Sequence, residues 1–267
     1  MKNKNIEILK TFIFFLTFSL IATFANSKDL NIKAQEIITL ENGNLIIGNK
    51  KAEAKIPNEI EIFADKITYN KINETLNAEG NVLVIDLVDN IRINSNKITY
   101  DKVKNELISH SNSKFNIDNK YTIDSENVYL DINKKILSSD EKTLIKDNFN
   151  NNITTSSFKY FNFDETLKAQ SIELIDNEQN RYLLENGMIK LKEKILIGKD
   201  TQVFLRNDSF GIPENEPKLK GNSLYYENNN IIVSKGIFTS CKSNNNCPPW
   251  SITSKEIKHD KKKQEIH

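Results

Sequence analysis

The chain has 267 residues, 37 of them Lys or Arg and 36 Asp or Glu, for a net charge of +1, and 38% are hydrophobic. That balance excludes the basic surface a nucleic-acid binder uses, and the low apolar fraction favours a thin, elongated architecture over one thick core. Three His and two Cys without ligand spacing leave no metal site to name.

In chain order, the first segment reads as an export signal. Lys2, Lys4 and Lys10 form a basic start, and Thr11 to Ala25 is an apolar run holding Phe12, Ile13, Phe14, Phe15, Leu16 and Leu20. Ala25-Asn26-Ser27 then places small residues where a signal peptidase cuts. The run is short for a bilayer span of about 20 residues, so residues 1–27 are read as a cleaved signal peptide and not as an anchor. No Cys follows to mark a lipoprotein. Cleavage removes three Lys and one Glu, leaving 34 basic against 35 acidic residues, so no nucleic acid is expected as a partner.

A repeat follows. Ile67-Thr68-Tyr69-Asn70 through Leu76 recurs as Ile98-Thr99-Tyr100-Asp101 through Leu107, as Val128-Tyr129-Leu130-Asp131 through Leu137, and as Phe158-Lys159-Tyr160 through Leu167. Weaker copies run from Ile37 to Ile46, Met188 to Ile197, Leu224 to Val233 and Ile257 to Ile266. Starts lie about 30 residues apart until a longer gap before Leu224. Within each unit the period is two, the mark of a strand. Ile67 and Tyr69 then share one face, while Thr68, Thr99 and Lys159 point to the other. Asn70, Asp101 and Asp131 are expected to open turns, because a short polar side chain bonds to nearby backbone there. Between the units, Ile60-Glu61-Ile62-Phe63-Ala64, Ile91-Arg92-Ile93 and Phe115-Asn116-Ile117 alternate in the same way. Each unit is therefore at least two short strands with one apolar face, which only stacking on its neighbours can bury.

Two interruptions mark boundaries. Asn148 to Asn152 is a polar break, and Asn207 to Asn222, with Gly211, Pro213, Pro217 and Gly221, is a long excursion. The expected fold is all-β, a repeated antiparallel solenoid of units of about 30 residues. No Gly-rich phosphate loop and no nucleophile elbow is present, no cofactor is implied, and no catalytic residue is assigned.

The repeated Ile-x-Ala/Ser-Asp/Asn-Lys-Ile-Thr-Tyr unit, completed in its first strong copy by Leu76-Asn77-Ala78-Glu79-Gly80-Asn81-Val82, resembles the organic-solvent-tolerance (OstA-like) β-jellyroll family of lipopolysaccharide (LPS) transport. That family includes a periplasmic bridge protein and an outer-membrane assembly protein. Gly236 through Cys241, then Cys247-Pro248-Pro249-Trp250, then Lys255 through Asp260, is similar to the segment joining jellyroll to barrel in the outer-membrane member. The resemblance implies a taco-like jellyroll over residues 28–206. Residues 207–267 would then hold the final jellyroll strands and a junction leading to an absent barrel, as in a truncated LPS-assembly protein. It also implies a place in the periplasm at the inner side of the outer membrane. The implied partners are LPS acyl chains, the bridge jellyroll, and an outer-membrane β-barrel with its lipoprotein plug where a full-length form exists.

For such a carrier the working residues line a groove and catalyse nothing. The candidates are Ile62, Ile67, Tyr69, Val82, Val84, Ile93, Ile98, Tyr100, Phe115, Ile117, Val128, Leu130, Phe158 and Tyr160. The same residues serve equally as ordinary sheet-on-sheet packing in a structural or adhesive β-solenoid with a filled core, the alternative reading. A polysaccharide-active β-helix is a second alternative, to be recognised by a carboxylate pair in a cleft. Cys241 and Cys247 are disulfide candidates. They can close a small loop if their Cα atoms come within about 7 Å, whereas in the resembled family the first of them pairs with a cysteine of the barrel. The copy from Ile37 to Ile46 carries no Pro to blunt it and is expected to dock on a partner's edge strand. His110, His259 and His267 are expected to be exposed.

Overall fold

A computed structural model describes residues 30–210, 212, 214–242 and 250–267; the export signal and Cys247 lie outside them. Every strand pairing is antiparallel. Two short strands, β1 (Asn31–Lys33) and β2 (Glu36–Leu40), lie end to end along β3 (Leu45–Ile56). Hairpins then lead through β4 (Ile60–Asn70), β5 (Thr75–Asp86) and β6 (Ile91–Asp101).

The next four passes of the chain are each broken in two. They are β7 (Glu106–His110) with β8 (Asn112–Ile117), β9 (Tyr121–Glu126) with β10 (Tyr129–Asp131), β11 (Ile136–Ser139) with β12 (Thr143–Asp147), and β13 (Asn152–Thr155) with β14 (Ser157–Phe161). Long strands resume with β15 (Thr166–Ile175), β16 (Arg181–Lys190) and β17 (Ile195–Phe204). An excursion with a 3-10 turn at Asn207–Phe210 precedes β18 (Lys218–Glu227), β19 (Asn230–Thr239), β20 (Ile252–Asp260) and β21 (Glu265–Ile266). The excursion ends at Pro217, because Lys218 already pairs with Phe204, so the polar stretch predicted to run to Asn222 is partly strand.

Each pass bends at its middle. The register slips between Asn49 and Ala52, between Phe63 and Lys66, and between Glu79 and Val82, as a bulge does when it sharpens local twist and turns a strand. Seven of the described passes place a residue in the left-handed region at the bend: Lys50, Asn81, Ser111, Asn127, Ser171, Asp200 and Lys235. At the bend, Gly80 adopts a left-handed φ of +77°, and a Cβ on Gly221 would lie 2.4 Å from Val233 Cγ1 and 2.6 Å from Ser234 O, so neither position tolerates a side chain without strain. Carbonyls freed from the ladder by the bend are met by hydroxyls. Ser95 Oγ donates to Lys97 O at 3.2 Å, Ser139 Oγ to Glu126 O at 2.7 Å, and Thr155 Oγ1 to Ser157 O at 2.7 Å.

The bend folds the sheet into two arms whose inner faces meet. One carries the Ile-x-Tyr repeats and is called here the Tyr arm; the other is the facing arm. Cross-strand partners form continuous rows along the stack. The outer row of the Tyr arm reads Ile46, Tyr69, Leu76, Tyr100, Leu107, Leu130, Leu137, Tyr160, Leu167, Ile189, Leu196, Tyr226, Ile231, His259 and Ile266. The row beside it, nearer the bend, alternates large and small: Ile67, Ala78, Ile98, Ser109, and later Phe158, Ala169. The facing arm answers with Ile62, Val84, Ile93, Phe115, Ile123, Ile145 and Ile153. Interdigitating two such faces removes apolar side chains from water, each worth roughly 1.5–3 kcal/mol.

The turns at the arm tips stack as well. Lys102 N donates to Glu74 O, Ile132 N to Asn105 O and Leu191 N to Glu165 O, continuing the ladder past the strand ends. As the sequence predicts, Asn70 Oδ1 accepts from Ile72 N at 2.8 Å, Asp101 Oδ1 from Lys104 N at 3.0 Å and Asp131 Oδ1 from Lys134 N at 2.9 Å.

Candidate functional site

The bend closes one side of the interior, so the other side, where the tips of the two arms face each other, is a seam. Ties cross it at several places. Lys135 Nζ of the Tyr arm lies 2.6 Å from Asp89 Oδ1 of the facing arm. Glu165 of the Tyr arm receives Lys120 Nζ at 3.1 Å and Tyr121 OH at 2.8 Å. Lys261 Nζ, near the end of the stack, lies 3.2 Å from Asp176 Oδ2 and 2.6 Å from Glu178 Oε2.

Under the ties stand tyrosines. Tyr121 and Tyr160 pack edge to face across the seam with ring centroids 6.3 Å apart, and Tyr182 meets Tyr226 at 6.1 Å. Burial pushes the hydroxyls of Tyr121, Tyr160 and Tyr182 well above the ordinary phenol range, so each stays protonated and can donate. Tyr182 OH donates to Asp176 Oδ2 at 3.2 Å. Burial opposes the charge on Lys261, but its bond to Glu178 and the charge of Asp176 outweigh that and raise its pKa above the usual lysine value.

Between the ion pairs of Glu165 and Lys261 the arm tips meet through Lys194 Nζ, 4.5 Å from the Phe149 ring. A cleft of about 290 Å³ lies there, lined on the facing arm by Phe149, Ile153 and Leu174 and on the Tyr arm by Ile189, Leu191, Ile195 and Leu196. Tyr121 bounds one end; Tyr182, Tyr226 and Lys261 bound the other. Its origin lies in the repeat. Ile189 occupies the outer-row position that Tyr69, Tyr100, Leu130 and Tyr160 hold elsewhere, and a branched aliphatic chain does not reach across the seam as a phenol does; in the Leu130 copy the Lys135–Asp89 pair spans the tips instead. Behind it, Gly187 stands where Ile67, Ile98 and Phe158 stand in other copies, and it pairs with Gly198. A Cβ on Gly198 would come 2.5 Å from Leu184 Cδ2 and one on Gly187 2.8 Å from Ile172 Cδ1, so facing-arm side chains already fill the space the glycines vacate.

The weak repeat copy predicted to start at Met188 is therefore one residue out of phase. Met188 and Ile197 form an outward pair, with Ile197 37% exposed, while Ile189 and Leu196 point in. The physical reason is the glycine. Spacing by thirties skips over a position that has no side chain and lands on the next apolar one.

All fourteen candidate groove residues face the space between the arms, and all are buried at 6% exposure or less. They are packed against one another, and none lines the cleft. The cleft residues were missed because Leu174, Leu191 and Ile195 read as ordinary strand positions. The available signal was the loss of Tyr and Ile together at Gly187 and Ile189.

Acidic groups at the cleft are committed to the fold. Asp147 accepts from Phe149 N, Asn151 N and Asn151 Nδ2 within its own turn. Asp176 accepts from Glu178 N, Asn180, Tyr182 and Lys261. Among the described residues no group of three or more His, Cys, Asp or Glu is placed to hold a metal.

One expectation is corrected outright. His259 is 3% exposed, occupying the outer-row Tyr position of the last copy, with its ring 5.5 Å from that of Phe210. Neither ring nitrogen has a hydrogen-bond partner among the described residues, and burial lowers its pKa to about 4. His110 shares a 3.0 Å contact with Thr99 Oγ1, and His267 pairs with Glu265. Cys241 is free and half-buried, and its Sγ lies 3.8 Å from Trp250 O; the Cys241–Cys247 pairing falls on residues outside those described.

No family model matches the sequence, and no curated protein matches it. Among solved structures the chain is similar to the crystal structure of LptH, the LptA homologous periplasmic component of the conserved lipopolysaccharide transport device from Pseudomonas aeruginosa. Identity is 12% and the TM-score 0.38, over 41% of this chain and 80% of that one. A superposition that loose carries no function across, so function must be argued from the arms, the seam and the cleft.

Proposed function

We propose that the chain is a non-enzymatic, periplasmic, lipopolysaccharide-conducting jellyroll of the LPS-assembly kind, acting at the inner side of the outer membrane. The observation that carries the reading is the interior itself. Rows of buried, largely apolar side chains run along the stack between the two arms, closed on one side by the bend and laced on the other by side-chain ties. Such a wall offers acyl chains a dry path, worth about 0.8 kcal/mol per buried methylene, once the arms part at the seam. The OstA-like repeat and the Cys241 to Asp260 junction support the same reading.

A specific observation favours a second reading. The fourteen groove candidates are packed and not open, which is what a filled-core structural solenoid requires. Site-specific photocrosslinking to LPS separates the two. A probe placed in turn at Ile67, Tyr100 and Phe115 is expected to label lipid, while outward Thr68 and Thr99 stay silent. Silence at all five sites in folded protein supplied with lipid would establish the filled solenoid.

The bridge partner is proposed to add at the N-terminal edge. β1 and β2 pair only with β3 among the described residues, and Ile37, Ile38 and Leu40 of β2 are 52%, 40% and 47% exposed. Ile38→Asp with Leu45→Asp is expected to abolish association with a bridge-type jellyroll in a pull-down. Unchanged association would place the contact elsewhere.

A further inference from the structure

We propose that the cleft between Tyr160 and Tyr226 is a side-entry site for one acyl chain of an anionic amphiphile, inserted between the arm tips with its head beside Lys194. The proposal rests on the lipid-conducting reading and adds where a chain enters and in what form.

Three observations on different parts of the cleft converge. Its floor is apolar and continuous with the interior: Ile153, Ile189 and Leu196 are 4%, 5% and 3% exposed and belong to the same rows as the buried core. Its mouth lies between the ion pairs of Glu165 and Lys261 and is spanned by Lys194 over Phe149, so a chain can pass there without breaking either ion pair. Its volume of about 290 Å³ is at the lower limit of small-ligand clefts, roughly 300 Å³, which suits one extended chain and excludes a whole multi-chain lipid.

The charge at the mouth selects the head. Asp147 and Asp176 are saturated by their own turns, and Glu178 is held by Lys261. Lys194 has no carboxylate partner among the described residues; its ammonium rests 4.5 Å above the ring of Phe149, which is 54% exposed. An uncommitted cation on an exposed aromatic ring at the lip of an apolar cleft fits a carboxylate or phosphate head with its tail directed inward. The repeat shows the cleft to be a departure from the common pattern, since a Tyr at position 189 would restore the row.

The test uses the mature chain with dodecanoate carrying a diazirine at its tail end, and the methyl ester of the same probe. Wild type is expected to be labelled at Ile153, Leu174, Ile189 or Leu196. Ile189→Tyr, which fills the cleft, is expected to remove that labelling and weaken binding by about tenfold or more while leaving the urea midpoint within error. Should that variant fail to fold, surface Lys194→Glu carries the test. It is expected to weaken the carboxylate by about tenfold and to leave the ester unchanged.

Labelling confined to the ends of the stack and indifferent to Ile189→Tyr would overturn side entry while leaving the conducting reading standing. Absence of labelling anywhere would overturn both. A dimer that becomes monomeric on Ile189→Tyr would show that a second copy, and not a lipid chain, occupies the cleft.

Discussion

The two halves of the stack are built from one hairpin and differ in what that hairpin carries at its outer row. From β4 to β15 the row presents Tyr69, Tyr100, Leu130 and Tyr160 at this position, and the seam above them is closed by Asp89–Lys135 and Lys120–Glu165. From β16 onward it presents Ile189, Tyr226 and His259, with paired glycines behind the first of these and an excursion that brings Phe210 against the last. The backbone pairing continues without interruption through both. Backbone ladder and side-chain filling are therefore separable. The ladder makes the stack, while the inward side chains of each copy and the ion pairs above them decide whether the seam is shut.

The widest way to test that separation is by truncation. Phe115, fully buried on the facing arm, is expected to lose about 3–5 kcal/mol of unfolding free energy as Phe115→Ala, with an unchanged urea m-value. Ile195→Ala, at the cleft where the side chain is half-exposed and already lacks neighbours on one side, is expected to lose less than about 1 kcal/mol. Equal losses would mean that the C-terminal half is as tightly filled as the N-terminal one.

The second test is pH. His259 is buried and neutral, with its pKa lowered from 6.5 to about 4 by burial and by Lys261, against a smaller opposing effect of Asp260. Between those two values the unfolded chain binds a proton that the folded chain refuses, so stability is fully present above pH 6.5 and falls as the pH is lowered toward 4. The ceiling is ~3 kcal/mol, of which roughly 2 is lost by pH 5. His259→Phe, which keeps a ring beside Phe210 and Phe238, is expected to abolish that part of the acid sensitivity. Urea midpoints of both proteins at pH 7 and pH 5 measure it. An identical drop in both would show that His259 titrates normally.

Much of this architecture is legible in the sequence, because alternation is a direct consequence of strand geometry. Ile67 with Tyr69, Ile98 with Tyr100, and the turn openers Asn70, Asp101 and Asp131 could be placed from spacing alone. The bends could not. Of the left-handed residues that make them, only Asn81, Asn127 and Asp200, with Gly80, are of types that favour that region, whereas Lys50, Ser111, Ser171 and Lys235 are carried there by the pairing on both sides. The cleft and the seam ties escaped for a related reason. Lys135 and Asp89, or Lys261 and Asp176, are distant in sequence and meet only because two stacks of turns face each other. His259 was misjudged as a lone histidine, although its place two residues after Ile257 marks it as the Tyr position of the final copy.

The finest distinction lies between the ties themselves. Lys261 and Asp176 have side chains only 10% and 13% exposed, while Lys120 is 45% exposed against Glu165 at 19%. Removing one partner of a sheltered pair strands the other charge where water cannot repay it, whereas an exposed pair is worth little and is screened by salt. Lys261→Ala is accordingly expected to cost about 1–3 kcal/mol, and Lys120→Ala less than about 0.5 kcal/mol, vanishing in high salt. Thermal or urea unfolding of the two variants at low and high ionic strength tests the ranking. If Lys120→Ala proved the costlier, the closed seam of the N-terminal half would depend on its surface tie. Its tyrosines would then be passengers, and the contrast with the cleft would have to be sought in charge and not in the Tyr-to-Ile exchange at position 189.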